Sequence, residues 1–234
     1  MPGNITRKEL KQDKFAVEVA HGVDYFSGHR KNFVVYGGIA LVVLAIAAGI
    51  YYYSSSQATL RNQELGQAIT LTNAPVGQPN PSGGPSFPTE PAKTEGVAKG
   101  FQKVMSDFPG SQEAYVAEYL LAGQSADTSK LDDASKKYQD VIDHADANYA
   151  SLAKLALAQI DYSTGKQADA EKLLKDLMDH PSDLVSKPQA TISYAKIIGA
   201  SRPDEARKLL TGLLTPPSEI SSVASAALQD LPQK

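Results

Sequence analysis

The stretch DAEKLLKDL, residues 169–177, is echoed thirty-six residues later by EARKLLTGL, residues 205–213. Five of the nine positions agree: Ala170 with Ala206, Lys172 with Lys208, Leu173 with Leu209, Leu174 with Leu210 and Leu177 with Leu213. A third segment lies thirty-six residues upstream of the first, where Ala134, Lys136, Tyr138 and Val141 stand in the places of Ala170, Lys172, Leu174 and Leu177. A small residue, a large one four positions on and an apolar one three beyond that share one face of an α-helix. One copy carries no weight, because any amphipathic helix has it. Three copies at a constant period mark a repeating unit. The alanine lets a neighbouring helix approach closely, and the larger side chains fill the seam. Function in such a chain is sought on a stacked surface rather than in a catalytic cleft.

Each of these helices has an upstream mate: EAYVAEYLLAG at 113–123, YASLAKLALAQIDY at 149–162 and QATISYAKIIG at 189–199. The middle unit is the fullest, with Leu157 and Ala158, Tyr162, a turn at Gly165, then Ala170, Leu174 and Pro181. This resembles the tetratricopeptide repeat, a helical hairpin of about 34 residues, with the small surplus placed in loops. Val97, Phe101 and Val104 look like the second helix of an earlier repeat, whose first helix would lie at 57–71. EISSVASAALQDL, 219–231, would close the array as a cap. His144 and His180 each lie ten residues after the repeat alanine, near a helix C-terminus, where an imidazolium meets the dipole favourably.

Net charge is −3, which argues against a strongly basic nucleic-acid binder. The chain has no Cys, so thiol catalysis, disulfides and cysteine zinc sites are excluded. Charge is unevenly placed: +2 before residue 33 and −5 from residue 54 onward. Between them runs FVVYGGIALVVLAIAAGIYYY, Phe33–Tyr53, without a charge. As a helix it would be about 31 Å long, the thickness of a bilayer's hydrocarbon core. Aromatic residues at both ends suit the two interfaces. Ala45-Ile-Ala47 has the form of a cleavage site, but 32 residues precede the run, far more than a leader's charged region. It is read as an uncleaved transmembrane helix. Arg30 and Lys31 abut its start and the next charge is Arg61, so the positive-inside bias leaves the N-terminus in the cytoplasm. In a bacterial inner membrane the C-terminal domain is then periplasmic.

The expected organisation is a cytoplasmic juxtamembrane helix at 1–32, a transmembrane helix at 33–53, a membrane-proximal helix at 54–73, a Pro/Gly-rich linker at 74–93 and a repeat domain at 94–234. The first helix has a capping box at Thr6 and Glu9, and Phe15, Val19, Val23 and Phe26 share one face. That face either lies on headgroups or a partner, or the helix is a plain spacer. The linker's proline content and its small share of residues to bury predict an extended, disordered segment. The fold class is all-α: one transmembrane helix followed by a tetratricopeptide-like solenoid.

No phosphate-binding loop, nucleophile elbow, His-Glu-x-x-His or paired-carboxylate constellation is present. Asp132, Asp133, Asp169 and Glu171 sit at helix starts and read as solvated faces complementing the dipole. The expectation is therefore no enzyme, no catalytic residue, no metal and no cofactor.

A short charged N-terminus, one span and a repeat domain outside resemble the family of the ancillary SecYEG translocon subunit. The resemblance implies an inner-membrane protein associated with translocon components and periplasmic chaperones or unfolded, emerging chains. The longer cytoplasmic helix and the Pro-rich insert depart from that pattern. By register, Tyr119, Leu155, Gln159 and Tyr162 would line a concave, partner-binding groove built from the first helix of each pair. Leu155 serves equally as a packing residue between helices. A structural envelope or division-complex subunit forming a homo-oligomer through its repeats is the alternative scaffold. An alkaline-phosphatase domain fused to the C-terminus in bacteria is expected to be active; an inactive fusion would reverse the orientation.

Overall fold

The computed structural model describes residues 30–214 and 219–232. The juxtamembrane helix expected at 1–32 lies outside the described residues as far as residue 29. Among the described residues the chain is all-helical: α1 Arg30–Thr72, α2 Glu90–Asp107, α3 Gln112–Asp127, α4 Leu131–His144, α5 Ala147–Ser163, α6 Gln167–Asp179, α7 Lys187–Ile198, α8 Pro203–Thr211 and α9 Glu219–Gln229. The chain divides into two compact units, residues 1–59 and residues 60–234.

In the first unit the described part is the start of α1. By length and composition α1 is able to cross a membrane. Its apolar side chains face outward: Leu41 is 70% exposed and Leu44 65%.

The second unit is a stack of helical hairpins, α3 with α4, α5 with α6 and α7 with α8, and α9 packs on the last pair. Ala134, Ala170 and Ala206 are completely buried, and Tyr138, Leu174 and Leu210 beside them nearly so. Lys136, Lys172 and Lys208, at equal register, are exposed. The thirty-six-residue echo is therefore the inner edge of the second helix in each pair. The last turns of α1 begin the stack: Leu65 and Ala68 pack with Val97, Phe101 and Val104 of α2 and with Ala117 and Leu121 of α3. The two ion pairs Arg61–Glu113 and Lys103–Glu64, at 3.0 and 2.7 Å, tie the same helices together.

Capping differs between the two helices of a pair. First helices start at side-chain caps: the Ser111 hydroxyl accepts from the Ala114 amide, the Asp146 carboxylate from Asn148 and Tyr149, and the Ser186 hydroxyl from Gln189. Second helices lack such a cap and carry acids in the first turn instead: Asp132 and Asp133, Asp169, and Asp204 and Glu205. They follow tight turns. The Lys130 amide donates to the Ser125 carbonyl at 2.8 Å, and that of Lys166 to Asp161 at 2.7 Å. These are Schellman closures, whose pivot residue must be left-handed. The pivots are Ser129, at φ 60°, and Gly165, at φ 82°.

The segment 74–93, expected as an extended linker, has a different form. Phe87 bridges the two residues flanking Val76, with the Gly77 amide donating to the Phe87 carbonyl at 2.9 Å and the Phe87 amide to the Pro75 carbonyl at 3.0 Å. The Phe87 ring covers Gly96, where an added Cβ would meet it at 2.4 Å. Residues from Glu90 onward already form the first turn of α2, capped by Thr89. One large apolar side chain with a glycine-sized seat is enough to close the loop. Carboxylates read as solvated also differ. Asp133 accepts from the Ser125 hydroxyl at 2.7 Å and pairs with Lys137, and Glu171 pairs with Arg202 at 2.5 Å.

The two pivots generate opposite expectations. Gly165→Ala places a Cβ in left-handed backbone and is expected to lower unfolding free energy by about 1 kcal/mol. Ser129→Gly is expected to raise it, by less, because glycine loses more freedom on folding. Urea denaturation of the full chain in detergent, followed by the far-ultraviolet circular dichroism of the repeat helices, reads both signs.

Candidate partner-binding groove

Along one side of the second unit, two cavities meet. One, of about 380 Å³, is lined by α1, α2 and α3 and includes Thr72, Phe101, Tyr119 and Asp127. The other, of about 290 Å³, is lined by α3 and α5 and includes Ala156, Gln159, Ile160 and Ser163. Both share Gly123, Asp127 and Tyr138, so they form one groove across the first helices of successive pairs, with a tyrosine from α4 in its floor.

The floor is aromatic. The ring centroids of Tyr119 and Tyr138 are 5.6 Å apart, and those of Tyr119 and Tyr149 6.0 Å apart. Tyr138 is buried at its base, and its hydroxyl points toward Gly123, where an added Cβ would stand 3.6 Å away. Burial, with Tyr119 and then Asp127 adding to it, pushes the Tyr138 hydroxyl up to about 12. It is a neutral donor at any physiological pH. The Tyr119 hydroxyl is raised as well, chiefly by burial and then by Tyr149.

The four residues expected to line a groove fall in different places. Tyr119 and Gln159 lie in the two cavities, Tyr119 half-buried and Gln159 exposed. Leu155 is partly buried against the core formed by α6 and α7. Tyr162, on α5, is 42% exposed and lines neither cavity. Tyr138, Gly123 and Asp127 were missed by the sequence reasoning. Their signal was present: Tyr138 holds the position that is leucine in the next two copies, and a tyrosine there brings a polar tip through the seam.

The chain's residues 29–183 match the family model of the tetratricopeptide repeat-like domain. The chain belongs to that family. No curated protein and no solved structure matches the chain. Within the tetratricopeptide repeat-like domain, the groove lies entirely inside the matched residues. The pair α7 and α8 continues the stack past the match's end.

Among the described residues, no group of three or more His, Cys, Asp or Glu is placed to hold a metal ion. His144 and His180 each lie against an aspartate four residues earlier, Asp140 at 3.3 Å and Asp176 at 3.1 Å. They serve their own helix ends, one repeat apart. The most displaced acid of the domain is outside the groove, on the other side of α3. Burial, then the hydrogen bond and charge of Asp140, push Glu118 up to about 7, with Lys137 and His144 opposing.

This gives a signed pH expectation. Glu118 titrates near 4.5 when unfolded and near 7 when folded, so its contribution is fully present below pH 4.5 and is lost as pH rises through 7. Relative to wild type, Glu118→Gln is expected to be more stable at pH 8 by on the order of 2 kcal/mol and little changed at pH 4. Unfolding curves at the two pH values read the difference; a parallel pH dependence in both proteins would refute the upward shift of the Glu118 carboxyl.

Proposed function

We propose that this protein is a membrane-anchored scaffold that holds a segment of a partner protein in the groove across α1, α3 and α5. The joined cavities around Tyr138 carry this reading, because repeat domains of this family commonly bind proteins and the groove supplies an aromatic floor with amide and hydroxyl groups at its edge. Tyr119 and Gln159 would contact the bound segment, Tyr162 would extend the surface beyond it, and Leu155 would hold α5 against α6. The chain would divide as read from the sequence, with residues 1–32 cytoplasmic, 33–53 in the bilayer, 54–73 membrane-proximal, 74–93 a Pro/Gly-rich linker, and 94–234 the periplasmic repeat domain of a bacterial inner-membrane protein. Arg30 and Lys31 at one end of an uncharged run support that orientation.

The finer assignment is an accessory subunit of the protein translocation machinery that brings chaperones or emerging chains to the membrane exit. It rests on the layout of span and repeats and on a groove suited to unstructured segments. The competing scaffold is an envelope or division-complex subunit that joins copies of itself.

A photoreactive amino acid at Gln159, exposed in the groove, and another at Lys172, exposed on α6, separate these readings in intact membranes. Adducts with translocon components, chaperones or nascent chains are expected at 159 and not at 172. Adducts made only of two copies of this chain would sink the translocon reading in favour of the self-assembling one.

A further inference from the structure

The groove is a place where three helices end. Thr72 is the last residue of α1, Asp127 of α3 and Ser163 of α5. Thr72 and Asp127 line the first cavity, and Asp127 and Ser163 the second. A helix C-terminus carries roughly half a negative charge, felt within its last turn. Proteins usually offset it with a lysine, arginine or histidine there, as His144 does on α4 and Lys208 on α8. None of the three groove helices has a basic residue in its last turn. The last residue of α3 is instead an aspartate, which adds a full negative charge to a negative dipole end. Among the described residues, no lysine or arginine pairs with Asp127. The charged residues lining the groove are Asp127 on α3 and Glu90 and Lys93 on α2. Where the two cavities join, the groove thus carries one acid, Asp127, at the end of α3, with Tyr138 lining both cavities beside it and Tyr119 the first.

We propose that the groove recognises a lysine or arginine side chain of the partner segment, with the cation at Asp127 and the ends of α3 and α5, and its aliphatic stem on the tyrosine floor. This rests on the groove being the partner site and adds the chemistry of what it takes. Each half of the arrangement suits that group. Tyrosine faces attract a cation through the ring quadrupole, and the long stems of Lys and Arg bury well on apolar surface while the head stays at a polar rim. The Tyr138 hydroxyl, held neutral, and the Gln159 amide accept from the remaining N–H groups. The two cavities, about 380 and 290 Å³, are on the scale of clefts that enclose a ligand group, roughly 300–1,000 Å³. An acidic segment would meet the same potential with the wrong sign. A basic signature in the partner is the requirement; the surrounding sequence is open, because Glu90 and Lys93 are the other charged residues lining the two cavities and their charges offset each other.

Fluorescence anisotropy on the full chain in neutral-lipid nanodiscs, with empty nanodiscs subtracted, tests this. The probes are a fluorescein-labelled peptide of alternating alanine and arginine and its counterpart with glutamine at every arginine. The wild type is expected to prefer the arginine peptide by about tenfold, the worth of one charge-assisted hydrogen bond. Asp127→Asn is expected to remove most of that preference, and Asp183→Asn, an equal charge change at an exposed residue lining neither cavity, to leave it intact. Equal binding of the two peptides by the wild type, or a preference that survives Asp127→Asn, overturns the proposal. Gly123→Leu fills the groove beside Tyr138 and keeps the two claims separable. If it abolishes binding of both peptides while Asp127→Asn changes nothing, the groove stands and the cation preference falls. If neither peptide binds, or Gly123→Leu leaves both bound, groove and preference fall together.

Discussion

Three alanines with no exposed surface set the geometry of the repeat domain. Ala134, Ala170 and Ala206 each sit where the second helix of a pair meets its neighbours, and nothing larger than a methyl group fits without pushing helices apart. From that close approach the rest follows. The side chain one turn on must be large enough to fill the gap that opens as the helices diverge, hence Tyr138, Leu174 and Leu210. The turn into the helix must be tight, hence the left-handed pivots at Ser129 and Gly165. First helices must then lie side by side, and their outer edges form the groove.

The seam was legible in the sequence because it is written in one variable, apolarity at helical spacing, and because it recurs. Ala170, Leu174 and Leu177 could be placed on a buried edge from the pattern alone. The groove was only half legible. Gln159 and Tyr119 follow from register, since a residue opposite the seam on a first helix faces outward. Asp127 and Tyr138 do not. Whether an acid at a helix end is solvated decoration or part of a cavity depends on where the neighbouring helix stops, and that is set by loop lengths. Phe87 escaped notice for a related reason: a single ring in a proline-rich stretch gives no period, and its seat at Gly96 is nine residues away in another element. Leu155, with two readings open, packs on the core side.

Electrostatics within the domain are arranged by element. Starts of second helices carry acids and several of these are tied to structure, as Asp133 is to Ser125 and Glu171 to Arg202. Arg202 also reaches the Tyr194 hydroxyl at 3.3 Å and Glu205 at 3.1 Å, so one guanidinium joins α6, α7 and α8. The planar guanidinium presents five donors in a fixed fork, and the lysines at that register, Lys130 and Lys166, have a single flexible ammonium instead. The last hairpin lacks the Schellman closure of the others, and this cluster stands in its place.

A polar contact recurs alongside the seam. The Gln112 side-chain carbonyl accepts from the Asp146 amide at 3.0 Å, and that of Asn148, thirty-six residues on, accepts from the Asp183 amide at 3.1 Å. In both cases the first turn of one pair grips the loop that leads into the next. The grip has a direction: in both cases the upstream pair supplies the side chain and the loop leading into the downstream pair supplies the backbone amide. Loosening would then spread from the C-terminal cap inward, one hairpin at a time, as in a one-dimensional array with nearest-neighbour couplings. The hairpins that carry the groove sit upstream of that fraying end, so slow amide exchange should persist there after the cap has opened.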